Sequence, residues 1–183
     1  MVPKKRLKDE RTRLGLSLKT NKILKYTIMV LSAFIITTVA GLGDMGMSLS
    51  IASIGSAIGT GIAGMAAIGA WKKMIISGQK AATALLIFVG APLSQVIYGM
   101  ILKNAIADAN LNADSYLWQM MMGLAAGAAM AGSAIFQGKA GARACDAIAA
   151  GANDTAKYIM IIGVVETVAL FVMIFTMTGL PTG

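Results

Sequence analysis

The chain has 183 residues, 57% of them hydrophobic and only 13% charged, with a mean hydropathy of +0.74. That is the composition of a membrane protein, not of a water-soluble domain. There is no histidine and a single cysteine, Cys145. This excludes an internal disulfide and Ser/His/Asp or Cys/His catalysis, and it leaves no basis for a Cys/His zinc or iron–sulfur site. Function must rest on carboxylates, amides and hydroxyls, with no cofactor expected.

The net charge of +8 is concentrated at the start of the chain. Residues 1–25 carry nine Lys/Arg against Asp9 and Glu10. An apolar run follows directly, so this basic arm reads as a determinant of membrane orientation rather than as a nucleic-acid-binding tail.

Five apolar segments follow, at about residues 26–43, 45–70, 81–107, 116–138 and 158–180. Each reaches or approaches the ~20 residues that span a ~30 Å hydrocarbon core. The charges lie between them. Lys72, Lys73 and Lys80 separate the second segment from the third. Asp108 and Asp114 lie in a link, 104–115, that has no Lys or Arg. Lys139, Arg143 and Lys157 separate the fourth from the fifth. If the basic arm is cytoplasmic, every crossing then agrees with the positive-inside rule, and residues 71–80 and 139–157 become cytoplasmic loops. The expected location is the cell membrane, with several passes.

The first segment admits two readings. A basic region, an apolar stretch and Thr38-Val39-Ala40 before Gly41 resemble a secretory signal; alternatively the segment is a retained extra helix. Met29 or Met45 could also be the true start. In either case the expected functional unit is 44–183. Its parts are a first hairpin, 44–107, and a second, 116–180, after the arm 1–25 and the segment 26–43.

The two hairpins look like a duplication. Gly55-Ser-Ala-Ile58 recurs as Gly132-Ser-Ala-Ile135, and Gly61, Ala63, Gly64 and Ala67 match Gly138, Ala140, Gly141 and Ala144 at the same offset. Gln95 and Glu166 hold corresponding places in the second helix of each hairpin. Gly59-Thr-Gly61-Ile-Ala-Gly64 fits the dinucleotide fingerprint, but it lies within a spanning helix and not in the strand–turn–helix that the fingerprint requires. The glycines read better as packing positions. Gly55 and Gly59, and Gly123 and Gly127, remove side chains at helical spacing and let backbones approach. The second and fourth of these helices are bulkier. That suits small helices inside and larger ones outside in a many-copy ring.

Glu166 is the only acidic residue within any long apolar run. An ionised carboxylate in hydrocarbon costs about 2.5 to more than 10 kcal/mol, so such residues mark ion or proton pathways. Nine residues separate it from Lys157, or ~13 Å along a helix, which is near mid-membrane. Ser94, Gln95 and Tyr98 share one side of their helix, just after Pro92. Gln137 closes the 116–138 segment. Each alone could be interhelical hydrogen-bond glue. Together they offer several neutral oxygens and one charge, which suits a small hard monovalent cation.

These residues resemble the proteolipid (c or K subunit) of V-type and archaeal A-type rotary ATPases over about residues 44–180. The resemblance is carried by Gly55-Ser-Ala-Ile-Gly59, Ala91-Pro92-Leu-Ser-Gln95-Val-Ile-Tyr98-Gly99, Phe136-Gln137-Gly138-Lys139 and Val165-Glu166-Thr167. It implies an all-α double hairpin whose copies form a membrane ring, with the ion-carrying glutamate kept only in the second hairpin. It implies Glu166 as the charge, and Gln137, Gln95 and Ser94 as oxygen donors to Na+, with a backbone carbonyl near Ala91. It implies that Tyr98 steadies the glutamate. The implied partners are further copies of the chain, a membrane stator that supplies an arginine, the central stalk and lipid. Na+ or H+ is the implied cargo, moved in step with ATP synthesis or hydrolysis. The ring itself makes no ATP. Ala91-Pro-Leu-Ser departs from a commoner Pro-Gly-Thr arrangement. The alternative functions are a small proton-coupled multidrug exporter and a structural or channel-like oligomer.

Overall fold

The computed structural model describes residues 43–152 and 154–181. The arm 1–25, and the segment 26–43 except for its last residue, lie outside the described residues. Four long helices follow: α1, Met47–Ile76; α2, Leu85–Asp108; α3, Tyr116–Ala149; and α4, Thr155–Thr178. A 3-10 turn at Ala91–Leu93 interrupts α2, where Pro92 has no N–H to offer the helical ladder. The shortest helices have 24 residues, or ~36 Å, so all four are long enough to cross a ~30 Å core.

The fourth apolar segment is longer than its hydropathy indicates. Residues 139–149, expected in a loop, continue α3 to Ala149, and the link to α4 shrinks to residues 150–154. Lys139, Arg143 and Asp146 point outward, while Gly141, Ala144, Cys145 and Ile148 are buried. That i, i+3, i+4, i+7 stripe keeps one face of the helix packed although the window as a whole turns polar. Likewise α1 takes in residues 71–76 of the other expected loop. The Trp71 indole N–H donates to the Ala82 carbonyl at 2.7 Å and ties the rest of that link back to the helix.

The expected inner pair is α1 and α3. Gly138 lies directly on the backbone of Gly59, and Gly55 on that of Ala131. Larger side chains fill the periphery. Ile68, Val164 and Phe175 are each about two-thirds exposed, at 67%, 67% and 68%. Such surface is stable only against lipid or further protein.

Two apolar clusters form within the bundle. One gathers Met74, Leu85, Phe88, Cys145 and Ile162; the other gathers Ala52, Leu102, Ile106, Met130, Ala169 and Met173. Between these clusters α2, α3 and α4 carry polar side chains: Gln95, then Ser133 and Gln137, then Glu166.

The entry to α1 holds a fully buried carboxylate. Asp44 Oδ1 accepts the Gly46 N–H at 2.9 Å, and Oδ2 accepts the Ser48 N–H at 2.8 Å. The turn is tight, with φ positive at Gly43, Met45 and Gly46. The carboxylate packs on Gly123, where any side chain would collide with it. Asp44 thus satisfies helix N-terminal donors and complements the positive end of the helix dipole. Asp44→Ala is expected to remove about 1–2 kcal/mol of stability. In thermal melts of the solubilised protein this reads as a drop of several degrees, with Asp44→Asn in between. Unchanged melting of the alanine variant would show that this cap does not matter.

Candidate functional site

The site starts at the interruption in α2. With Pro92 in the turn, Ser94 begins the second part of the helix, and its hydroxyl donates to the Ala91 carbonyl at 3.1 Å. The same hydroxyl lies 3.3 Å from Gln95 Oε1. Gln95 is fully buried, and its Nε2 donates to Gln137 Oε1 at 2.9 Å. Gln137 is also fully buried, and its Nε2 donates to Glu166 Oε2 at 3.2 Å. One turn after Ser94, the Tyr98 hydroxyl donates to Glu166 Oε1 at 2.7 Å.

Every residue expected at the site therefore joins one hydrogen-bonded string from Ala91 on α2, through α3, to the carboxylate on α4. Both carboxylate oxygens are engaged, each by a donor from a different helix. Glu166 itself is half-buried. Its neighbours Gly163, Val164, Thr167 and Val168 are exposed. Only 17% of the most apolar window of α4 is buried, against 33–44% for the other helices. The carboxylate therefore lies at the boundary between the buried string and the outer surface of the bundle. Among the described residues no three His, Cys, Asp or Glu side chains come together, so the site carries a single formal charge.

Gln137 is not at a segment end, as its hydropathy window suggests. It lies in the interior of α3, which runs on to Ala149. Two features had no place in the sequence expectations. Gln137 Nε2 also reaches the Ile162 carbonyl at 3.4 Å, and the Ser133 hydroxyl donates to the Val165 carbonyl at 2.8 Å. Ser133 lies one turn before Gln137, so the i, i+4 spacing was available as a signal. The first hairpin lacks this arrangement. At the same offset, Ser56 takes the place of Ser133 and Thr60 that of Gln137, and both hydroxyl oxygens are buried with no hydrogen-bond partner.

Among the described residues four helices are long and apolar enough to cross a membrane, and the Glu166 carboxylate lies within one of them; this is a multi-pass membrane protein. Residues 120–178 match the family of the ATP synthase C subunits. The match takes in most of α3 and all of α4, and with them Ser133, Gln137 and Glu166. The matched stretch is the hairpin that carries the carboxylate, about a third of the chain. No curated protein matches the chain.

Proposed function

We propose that this chain is the double-hairpin proteolipid of a V-type or archaeal A-type rotary ATPase, and that it carries Na+ on Glu166. The observation that carries this reading is the string Ser94–Gln95–Gln137–Glu166 with Tyr98 on the far carboxylate oxygen. The first hairpin lends an amide, Gln95, where the second has an acid.

The choice of ion follows from oxygen supply. A proton needs the carboxyl and one acceptor. Sodium must exchange its hydration shell for about five oxygens, and hard cations take oxygen ligands. Glu166, Gln137, Gln95, Ser94 and the Ala91 carbonyl make up that number. With the cation bound, the glutamate is neutralised and α4 can face lipid. Release leaves a bare charge, tolerable only beside water and a stator cation such as an arginine. The α1–α2 and α3–α4 links, on the cytoplasmic side by the positive-inside rule, face the central stalk.

The test is carbodiimide labelling of the solubilised full-length protein. Dicyclohexylcarbodiimide is expected to modify Glu166 rather than Asp44, Asp108, Asp114 or Asp146, and sodium is expected to slow it. Gln137→Leu should raise the sodium needed by tenfold or more, where each tenfold is about 1.4 kcal/mol. Labelling chiefly at Asp108 or Asp114 would move the site elsewhere. Labelling at Glu166 that ignores sodium would assign the same site to protons.

A further inference from the structure

We infer that Ser133 is a positioning residue for the ion site: it holds the backbone of α4 so that the Glu166 carboxylate meets Tyr98 and Gln137. The inference rests on the reading of Glu166 as the ion carrier.

The argument starts from how little else fixes α4. Its buried residues are Ile162, Ala169 and Met173. Gly163, beside the site, presents no side chain, and a Cβ placed there would touch nothing. Van der Waals packing at the level of Glu166 is therefore thin. Polar tethers replace it. Ser133 and Gln137, one turn apart on α3, grip the Val165 and Ile162 carbonyls at 2.8 and 3.4 Å. Ile162 lies one turn before Glu166, and Val165 immediately before it. The two bonds thus fix the height and rotation of the helix where the carboxylate leaves it. The Ser133 bond is the shorter, and Ser133 touches neither the carboxylate nor any other oxygen of the string.

Rotation matters here because the carboxylate bridges two fixed donors. Functional constellations need their groups held to within ~0.5 Å and ~10–20°. A small turn of α4 about its axis would open the 3.2 Å bond from Gln137 before it broke the 2.7 Å bond from Tyr98. The Val165 carbonyl can still accept its own helical N–H, from Ala169, when the serine hydroxyl is lost. Removing the hydroxyl therefore strands no buried acceptor and should leave the fold intact.

The duplication supplies an internal control. Ser56 has the same local sequence, Gly-Ser-Ala-Ile, and is also buried, but its hydroxyl meets no partner. If burying a hydroxyl at this place in the hairpin were what mattered, both serines would count. If the tether matters, only Ser133 does.

The experiment follows carbodiimide modification of Glu166 across pH, without sodium and then with increasing sodium. It compares the full-length wild type, Ser133→Ala, Ser133→Thr and Ser56→Ala, with assembly checked by native electrophoresis. Ser133→Ala is expected to move the pH of half-maximal labelling by about half a unit or more, the equivalent of an average interhelical hydrogen bond in a membrane. Where sodium protects, the half-protecting concentration should rise about threefold. Ser133→Thr, which keeps the hydroxyl, and Ser56→Ala should both follow the wild type. The inference is overturned by a Ser133→Ala profile that coincides with wild type, by an equal shift in Ser56→Ala, by a threonine variant that behaves like alanine, or by failure of Ser133→Ala to assemble. Absence of Glu166 labelling in the wild type is a different result: it removes the ion-carrier reading itself.

Discussion

Glu166→Gln is expected to abolish ion-coupled transport and to leave the ring assembled. The substitution is nearly isosteric, and an amide oxygen can still accept the Tyr98 hydroxyl that now donates at 2.7 Å. Packing on α4 is unchanged because Ile162, Ala169 and Met173 remain buried as before. What disappears is the change of charge. Each elementary charge carried across the membrane is worth about 2.3 kcal/mol per 100 mV, and a permanently neutral side chain carries none. The measurement is ATP-driven ion uptake, or ion-driven ATP synthesis, in vesicles that hold the assembled complex. Native mass spectrometry of the same preparation reports assembly. Coupled transport that survives the substitution would remove Glu166 from the pathway.

The second large effect is structural. Gly138→Ala should prevent the bundle from closing, whereas Gly61→Ala should be tolerated. A Cβ on Gly138 would run into the carbonyl group and Cα of Gly59, and backbone cannot swing aside as a side chain tip can. Relief requires α1 and α3 to move apart, although their backbones touch at this level. Overpacking of a side chain into side chains costs about 1–3 kcal/mol, and a clash with backbone should exceed that. The separation would also pull Gln137, one residue away, from Gln95 and Glu166. Gly61, two residues along α1 from Gly59, has open space where its Cβ would go. Thermal stability and the yield of assembled protein distinguish the two variants. Equal behaviour would mean that the α1–α3 contact is looser than its geometry indicates.

Much of this was legible in the sequence, and the physical reasons differ from one part to another. The four spans were visible because hydrocarbon imposes a length and forbids charges. The site residues were visible because polar groups at depth are few, so Ser94, Gln95, Tyr98, Gln137 and Glu166 stand out. The end of α3 was not. Lys139, Arg143 and Asp146 lower the average of any window that contains them, and the buried stripe of Gly141, Ala144, Cys145 and Ile148 is made mostly of small residues with a weak signal. Asp44 reads as a polar residue between two apolar runs. Its burial depends on a turn with three positive φ angles and on the bare surface of Gly123 nearly 80 residues away, which no local window contains. Ser133 stands in the sequence as part of a repeat and one turn before Gln137, and neither position names its partner. Its partner is a backbone carbonyl, and a carbonyl leaves no mark in the sequence.

The unbroken course of α3 beyond Gln137 has a mechanical consequence. Twelve residues of continuous helix, ~18 Å, join the site amide to Ala149. A loop over that distance would absorb a twist in its own soft dihedrals. A hydrogen-bonded helix is a shaft: a rotation of a few degrees at one end arrives at the other. On the proposed function, any displacement of Gln137 as an ion enters or leaves is therefore delivered, with little slack, to the end of the helix at Ala149.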